Sequence, residues 1–397
     1  MFEHVDAYAG DPILSLNDAF QKDPRAGKIN LSIGIYFDND GRSPLLPSVR
    51  AAELAVVAAA GPRPYLPIEG AANFRAAVQQ LLFGPTLAPH ASRVVTMQGV
   101  GSGGALKVGA DFLKAYFPAS TVYMSDPTWD NHRAVFEGAG HTTASYPYYD
   151  AATGGLSFEA LLDCFKALPT RSIVLLHACC HNPTGVDLTP EQWRTLVPVL
   201  RERQLLPFLD LAYQGYGDGI EADAFAPRLL LEAGLPFLIA NSFSKSMSLY
   251  GERCGALTVA CPDAHQAGLV LGQLKFMIRR NYSNPPMHGG QVVTRVLTDP
   301  ALRAMWEAEV AEMHARIQAM RQQLHAVLAA RVPGRNFDYF LTQRGMFSYT
   351  GLSPAQADRL KDEFGVYILR SGRMCVAGLN TRNVEDTAVA LAAVLAN

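Results

Sequence analysis

The sequence carries almost no excess charge: 34 Lys and Arg stand against 36 Asp and Glu, a formal net charge of −2. A nucleic-acid binder needs a basic footprint, so that class is excluded. Cysteine is scarce, with six in 397 residues and no Cys-x-x-Cys pair; Cys179 and Cys180 are adjacent. That spacing builds neither a disulfide framework nor a zinc site, and no metal is expected. Buried free thiols in a reducing compartment are the expectation. Long apolar runs are missing as well. The longest uncharged apolar stretch near the end, Ala388–Ala396, is nine residues, about half of a membrane span. Met1-Phe2-Glu3-His4-Val5-Asp6 shows neither the basic cluster nor the apolar segment of a secretory signal, so a cytoplasmic chain without a membrane partner is expected. There is no internal repeat or low-complexity tract. With 49% apolar residues the chain has ample material for a core, which excludes intrinsic disorder.

What is present is a rhythm of short apolar runs, loops and helical patterns. Arg93–Met97, Thr121–Ser125, Ser172–His177, Leu205–Asp210, Phe237–Asn241 and Ala256–Ala260 read as strands, and Ala105–Tyr116, Phe158–Ala167 and Pro190–Arg203 as helices. Strands alternating with helices imply βαβ units and a mostly parallel sheet, an α/β fold. After about residue 300 the pattern changes. Leu302, Met305, Trp306, Val310, Met313, Ile317, Met320, Leu324 and Leu328 follow helical spacing, with Asp299-Pro300 as a start signal and Pro333-Gly334 as a stop. Beyond it, Phe337–Leu341, Met346–Tyr349 and Tyr367–Leu369 read as strands of a smaller α+β unit. A large domain over 46–310 and a small one combining 1–45 with 311–397 are expected.

Two constellations compete for the chemistry. Gly99-Val100-Gly101-Ser102-Gly103-Gly104 matches G-x-G-x-x-G between a strand and a helix, with Asp126 about 20 residues on. A glycine turn at a helix N-terminus offers bare N–H groups to an anion, either a pyrophosphate or a single phosphate. The second set is wider. Asp210 ends one apolar run, with Tyr213 and Gly215 close behind; Lys245 follows the strand Phe237–Asn241, and Arg253 comes eight residues later. All fall at or just after strand ends, where open α/β sheets bind ligands. A pyridoxal phosphate enzyme needs this combination: a lysine for the Schiff base, a carboxylate on the pyridine nitrogen, and cations and hydroxyls for the phosphate. A nicotinamide-dependent oxidoreductase built on Gly99–Gly104 would leave Lys245 and Arg373 without a task, and a non-catalytic regulatory module could dispense with the lysine.

At these residues the chain resembles the fold-type I, subgroup Iα, pyridoxal phosphate aminotransferases, the aspartate and aromatic amino-acid enzymes. The shared signatures are Tyr65-Leu66-Pro67-Ile68 with Gly70, Asp126-Pro127-Thr128-Trp129 with Asn131-His132, and His181-Asn182-Pro183-Thr184-Gly185. They continue with Asp210-Leu211-Ala212-Tyr213-Gln214-Gly215, Ser242-Phe243-Ser244-Lys245, Tyr282-Ser283-Asn284-Pro285-Pro286 and Ser371-Gly372-Arg373. The resemblance covers essentially the whole chain and implies a large domain with a mostly parallel seven-stranded sheet between helices, plus a smaller domain that closes over the substrate. It implies that Lys245 carries the cofactor and shuttles the substrate proton, that Asp210 pairs with the pyridinium, and that His132 supports Asp210. Tyr213 and Asn182 would bond the 3′-oxygen and Trp129 would stack on the ring. Arg253, Ser242, Ser102 and the backbone of Gly101 and Gly103 would hold the phosphate. Arg373 would bind the substrate α-carboxylate, with Gly34, Ile35 and Phe347 beside the substrate. Tyr65 and Arg279 would act across a homodimer interface, Tyr65 on the phosphate and Arg279 on an acidic side chain. One departure stands out: the hydroxyl of the phosphate turn is one place early, at Ser102, and Gly103 takes its usual position.

On substrate, Arg279 implies aspartate, glutamate and their 2-oxo acids. The rim Gly34-Ile35-Tyr36-Phe37 is apolar where aspartate-specific relatives tend to carry a lysine, and Pro64 replaces an often polar residue. The runs Asn241–Arg253, Arg335–Leu352 and Arg373–Asn380 look most similar to bacterial aromatic amino-acid aminotransferases. Asn284 fits the aspartate enzymes equally well. The expectation is an aromatic amino-acid aminotransferase that also takes the acidic pair, with a plain aspartate aminotransferase as the alternative.

Overall fold

The computed structural model describes residues 1–8 and 10–396. The chain divides into two compact units, one of Pro44–Arg316 with Gln343–Gly345, the other of Met1–Ser43, Ile317–Thr342 and the segment from Met346 onward. Residues 311–316 therefore group with the larger unit, and Gln343–Gly345 returns to it.

The larger unit is built on a seven-stranded sheet. Across it run Val94–Val100, Cys254–Ala260, Phe237–Ser242, Leu206–Leu211, Ile173–His177, Val122–Asp126 and Thr143–Pro147. Cys254–Ala260 is antiparallel to both neighbours, and the other pairings are parallel. Phe237–Ser242 and Cys254–Ala260 are buried at every position, as strands covered on both faces must be. The helices Gly101–Tyr116 and Ala264–Asn281 pack on the sheet through Leu106, Leu113, Leu274 and Ile278 against Phe208 and Leu257. Pro190–Glu202 starts on a capping box, Thr189 with Gln192, and has Pro190 in its first turn.

Thr143–Pro147 is missing from the sequence reading. It is an edge strand with a single buried residue, Tyr146, so its sequence has no apolar run to signal it.

The long helix is continuous over Pro300–Arg331. It buries Trp306, Val310 and Met313 in the larger unit and Ile317, Met320, Leu324 and Leu328 in the smaller. Met305, counted in the expected stripe, faces solvent.

In the smaller unit Ile29–Asn30 pairs in parallel with Val366–Tyr367, and Phe347–Tyr349 pairs antiparallel with Arg373–Cys375. The expected strand Phe337–Leu341 is instead a turn leading into a short helix, Tyr339–Thr342. Phe337 and Phe340 are both buried and three apart, a spacing that puts both on one side only if the chain coils.

All six cysteines are free thiols, Cys164 half-buried and the rest buried. No helix among the described residues is long and apolar enough to cross a membrane.

Gly109 lies where the helix Gly101–Tyr116 packs closely on the sheet. A Cβ there would come within 2.5 Å of the Phe208 ring. Alanine normally favours a helix over glycine by about 1 kcal/mol, whereas overpacking a filled core costs about 1–3 kcal/mol. Gly109→Ala should therefore lower the unfolding free energy in urea titration; equal or higher stability would mean that Phe208 yields.

Candidate active site

The parallel strands end together, and the segments leaving those ends carry most of the expected residues. Asp210 is the fifth residue of Leu206–Leu211 and is 5% exposed. Its Oδ2 meets His132 Nε2 at 3.0 Å, and His132 Nδ1 meets Thr128 Oγ1 at 2.8 Å. Burial pushes the Asp210 pKa upward, but the His132 hydrogen bond, with help from the nearby Lys245, outweighs it. The carboxyl is held below its usual value, ionised. Its Oδ1 is buried without a hydrogen-bond partner, an acceptor left open in a dry site.

Lys245 is half-buried with Nζ 5.1 Å from the centre of the Tyr213 ring. Its carbonyl accepts a bond from Tyr216 Oη at 3.0 Å. Asn182 Nδ2 reaches Tyr213 Oη at 3.5 Å, and both side chains are buried. Trp129, just before the helix Asp130–Glu137, stands edge-on to the His132 ring at 5.2 Å.

The glycine turn forms a cup. The helix Gly101–Tyr116 starts directly at the end of its strand; the Gly101 N–H donates to the Arg253 carbonyl at 2.9 Å, and the next N–H groups of the first turn have no partner within the helix. Gly101 has φ +65° and its Cβ position lies 2.5 Å from Nη2 of Arg253, so no side chain fits there. Arg253 Nη1 donates to Ser244 Oγ at 3.2 Å and to the Tyr250 carbonyl at 3.0 Å; Ser242 Oγ accepts from the Ser244 N–H at 3.1 Å. Ser102 is buried, and a Cβ on Gly103 would meet nothing within 4 Å. A cation, hydroxyls and helix-end N–H groups thus surround space that suits a phosphate, while the open oxygen of ionised Asp210 suits a protonated pyridine nitrogen. The residues present fit pyridoxal phosphate.

The smaller unit gathers a second cluster. Arg373 is 3% exposed, donates from Nη2 to the Ser32 carbonyl at 2.6 Å, and lies 4.4 Å from the centre of the Phe347 ring. Gly34 sits against that ring, where a Cβ would approach to 2.9 Å. Cys375 Sγ lies 3.7 Å from the Ile35 carbonyl. Tyr65 and Arg279 join neither cluster: Tyr65 is 92% exposed, and Arg279 is exposed with Nη1 on Ser283 Oγ.

Sequence reading missed two members. Ser244 was quoted within a motif but given no role, although it receives Arg253. His177 lay inside an apolar run, and only strand register places it opposite Asp210. Both its ring nitrogens are buried without partners, and burial, with His132 adding and Asp210 opposing, pushes its pKa down to about 3. A cavity of about 610 Å³ lies at the other ends of the strands among Phe112, Leu200, Leu206, Phe237 and Val259, and contains none of these groups.

The sequence profile described as "Aminotransferase class I and II" matches residues 26–391. The chain is 59% identical to the aromatic-amino-acid aminotransferase of Escherichia coli over the full length of both chains. It is 53% identical to the aspartate aminotransferase of Pseudomonas aeruginosa, again over both full lengths. Among solved structures, an aromatic-amino-acid aminotransferase from Burkholderia pseudomallei covalently bound to pyridoxal phosphate superposes with a TM-score of 0.97. It is 53% identical, covering 100% of this chain and 99% of that one.

His177 gives the site an acid sensitivity. Its folded pKa lies below its ordinary 6.5, so on acidification the unfolded chain takes up a proton that the native chain refuses. Stability attributable to this group is whole above pH 6.5 and falls as pH drops, by about 2 kcal/mol at pH 5. Urea unfolding of wild type and His177→Leu at pH 7 and pH 5 should show a smaller acid loss in the variant; equal losses would remove the assignment.

Proposed function

Because the chain belongs to the class I and II aminotransferases, we propose that it catalyses pyridoxal-phosphate-dependent, ping-pong transamination between aromatic or acidic amino acids and 2-oxo acids. The observation that carries this is the buried, ionised Asp210 with one oxygen open, at the sheet end that also presents Lys245 and the Arg253 cup. Bound pyridoxal phosphate supplies an electron sink for the charge left when the substrate Cα–H bond breaks.

The chain's own residues do the rest. Asp210 keeps the pyridine nitrogen protonated, and His132, itself held by Thr128, fixes the carboxylate. Tyr213 and Asn182 hydrogen-bond the 3′-oxygen, and Trp129 stacks on the ring. Arg253, the Ser242 and Ser102 hydroxyls and the helix-end N–H groups of Ser102 and Gly103 hold the phosphate; the expected Gly101 N–H is instead spent on the Arg253 carbonyl, at 2.9 Å. The Lys245 amine takes the proton from the substrate Cα and returns it at the cofactor C4′ carbon. Arg373 grips the α-carboxylate with its planar fork, which lysine cannot imitate; Phe347 and Ser32 already orient it. Gly34 and Ile35 close over the substrate and expel water.

A homodimer accounts for the two residues outside both clusters. Tyr65 is almost wholly exposed in one chain, as fits a residue that completes the phosphate site of a second copy. Arg279 would meet the acidic side chain there in the same way. Leu45, Leu54 and Val57 are also more than half exposed, apolar surface that a second copy would cover. Cytoplasmic residence fits the free thiols.

For the substrate, the apolar rim Gly34-Ile35-Tyr36-Phe37 favours aromatic side chains and Arg279 the acidic ones. The purified enzyme should show absorbance above about 350 nm that bleaches with both L-phenylalanine and L-aspartate, at comparable kcat/KM. A phenylalanine-to-aspartate ratio below about 10⁻⁴ would leave a plain aspartate aminotransferase. Absence of the band after cofactor is supplied would remove the mechanism.

Arg373→Lys should lower kcat/KM for both amino acids by about 100-fold, the loss of one charge-assisted bond and the planar fit. Steady-state kinetics with the two donors checks this, and a loss confined to aspartate would move Arg373 to the side-chain subsite.

A further inference from the structure

The two loops that carry Asn182 and Tyr213 each close on a carboxylate outside the catalytic set. Asp187 accepts the N–H of Cys180 on Oδ2 at 2.6 Å and that of His181 on Oδ1 at 2.8 Å, the two donors directly before Asn182. Asp223 accepts Gly215 and Gly217 N–H on Oδ2 at 2.8 and 3.0 Å and Asp218 N–H on Oδ1 at 2.8 Å, just after Tyr213. Arg344 ties the loops together: its N–H donates to the Gly185 carbonyl at 2.6 Å and its Nε to Asp218 Oδ2 at 2.8 Å.

We propose that Asp187 and Asp223 are positioning residues, whose carboxylates hold the two loops so that Asn182 and Tyr213 present their polar ends to one cofactor atom. Only an ionised carboxylate offers this: it is acceptor-only, each oxygen can take more than one N–H, and its bonds are about twice as strong as neutral ones. The arrangement is not explained by stability alone. Asp223 is buried, and neither carboxylate is in an ion pair among the described residues. The groups facing them are the backbone N–H donors, Cys179, Cys180, Asp218, Arg344 and each other. Burial and the neighbouring Asp223 push the Asp187 pKa up to about 6, against the pull of its two N–H donors, and burial raises that of Asp223. Asparagine at either position turns one acceptor into a donor facing an N–H.

The inference rests on Asn182 and Tyr213 bonding the cofactor 3′-oxygen. The test is a pH titration of the visible band of the pyridoxal-phosphate-loaded enzyme. Losing a hydrogen bond to the charged 3′-oxygen should raise the band's midpoint by about one unit in Asn182→Ala, in Tyr213→Phe, and equally in Asp187→Asn and Asp223→Asn. The doubles Asp187→Asn/Asn182→Ala and Asp223→Asn/Tyr213→Phe should move no further than the singles, since each pair acts as one unit. Asp187→Glu keeps the charge and should shift the midpoint less than Asp187→Asn. Should Asp187→Asn not fold, hydrogen exchange of the wild-type peptide 178–186, corrected for intrinsic rate, reads the same clamp: protection should fall below about pH 6.

Single variants of Asp187 and Asp223 that leave the band in place, doubles that add in full, or protection independent of pH would overturn the clamp. If Asn182→Ala and Tyr213→Phe also leave the band unmoved, the cofactor contacts fail first; if those two shift it while the aspartate variants do not, only the clamp fails.

Discussion

A negative charge held inside the sheet end organises everything around it. Asp210 has lost nearly all its water, a loss that costs several kcal/mol for an ion. The His132 bond at 3.0 Å returns only about 1.5–3 kcal/mol. His177 opposite stays neutral and donates no hydrogen bond to it. The carboxylate therefore remains ionised but incomplete, with Oδ1 unpartnered. A cationic N–H is the group that completes it, and a pyridinium is such a group. Thr128 and His132 form the hydrogen-bonded chain that keeps Asp210 charged in a dry setting, and Lys245 is near enough for its charge to contribute.

Topology converts that constraint into a site. Parallel strands deliver their C-terminal ends to one edge, which brings Asp126, His177, Leu211 and Ser242 together with the loops that follow them. The single antiparallel strand, Cys254–Ala260, delivers its beginning to the same edge. Arg253, the residue before it, thereby meets Gly101, whose N–H donates to the Arg253 carbonyl at 2.9 Å. Were that strand parallel, its arginine would lie at the far end of the sheet. The phosphate cup is thus a consequence of one strand's direction, and the glycine at 101 is a consequence of how closely the guanidinium then approaches.

Legibility in the sequence follows from how local each signal is. The helix Phe158–Ala167 and the strand Phe237–Asn241 announce themselves through apolar periodicity between turn residues, and their positions hold to within a residue. Thr143–Pro147 and Phe337–Leu341 misled because the first buries one side chain and the second buries two at a spacing that fits coil or helix. Lys245, Asp210 and Arg253 were legible because their chemistry is rare in that order and spacing. His177 was not: a histidine in an apolar run looks like core, and its role follows from register across a sheet. The acceptors Asp187 and Asp223 were equally silent, since what they bind is backbone, which leaves no mark in the sequence.

Selectivity between aromatic and acidic side chains turns on where a guanidinium keeps its water. Burying an aromatic ring gains about 25 cal/mol per Å² of apolar surface, a few kcal/mol in all. Stripping an unpaired guanidinium costs more than that, so a site that buried its arginine permanently would reject phenylalanine. Arg279 is exposed in the single chain and rests on Ser283, so nothing within its own chain commits its charge to a buried pair. On the proposed reading, an aromatic substrate would need only the apolar rim and the Arg373 fork, and an acidic one would recruit Arg279 at the cost of ordering a flexible side chain. On that reading dual specificity would follow from keeping one cation adaptable and burying the other: Arg373, 3% exposed, would serve every amino acid because every amino acid carries an α-carboxylate to offset its desolvation.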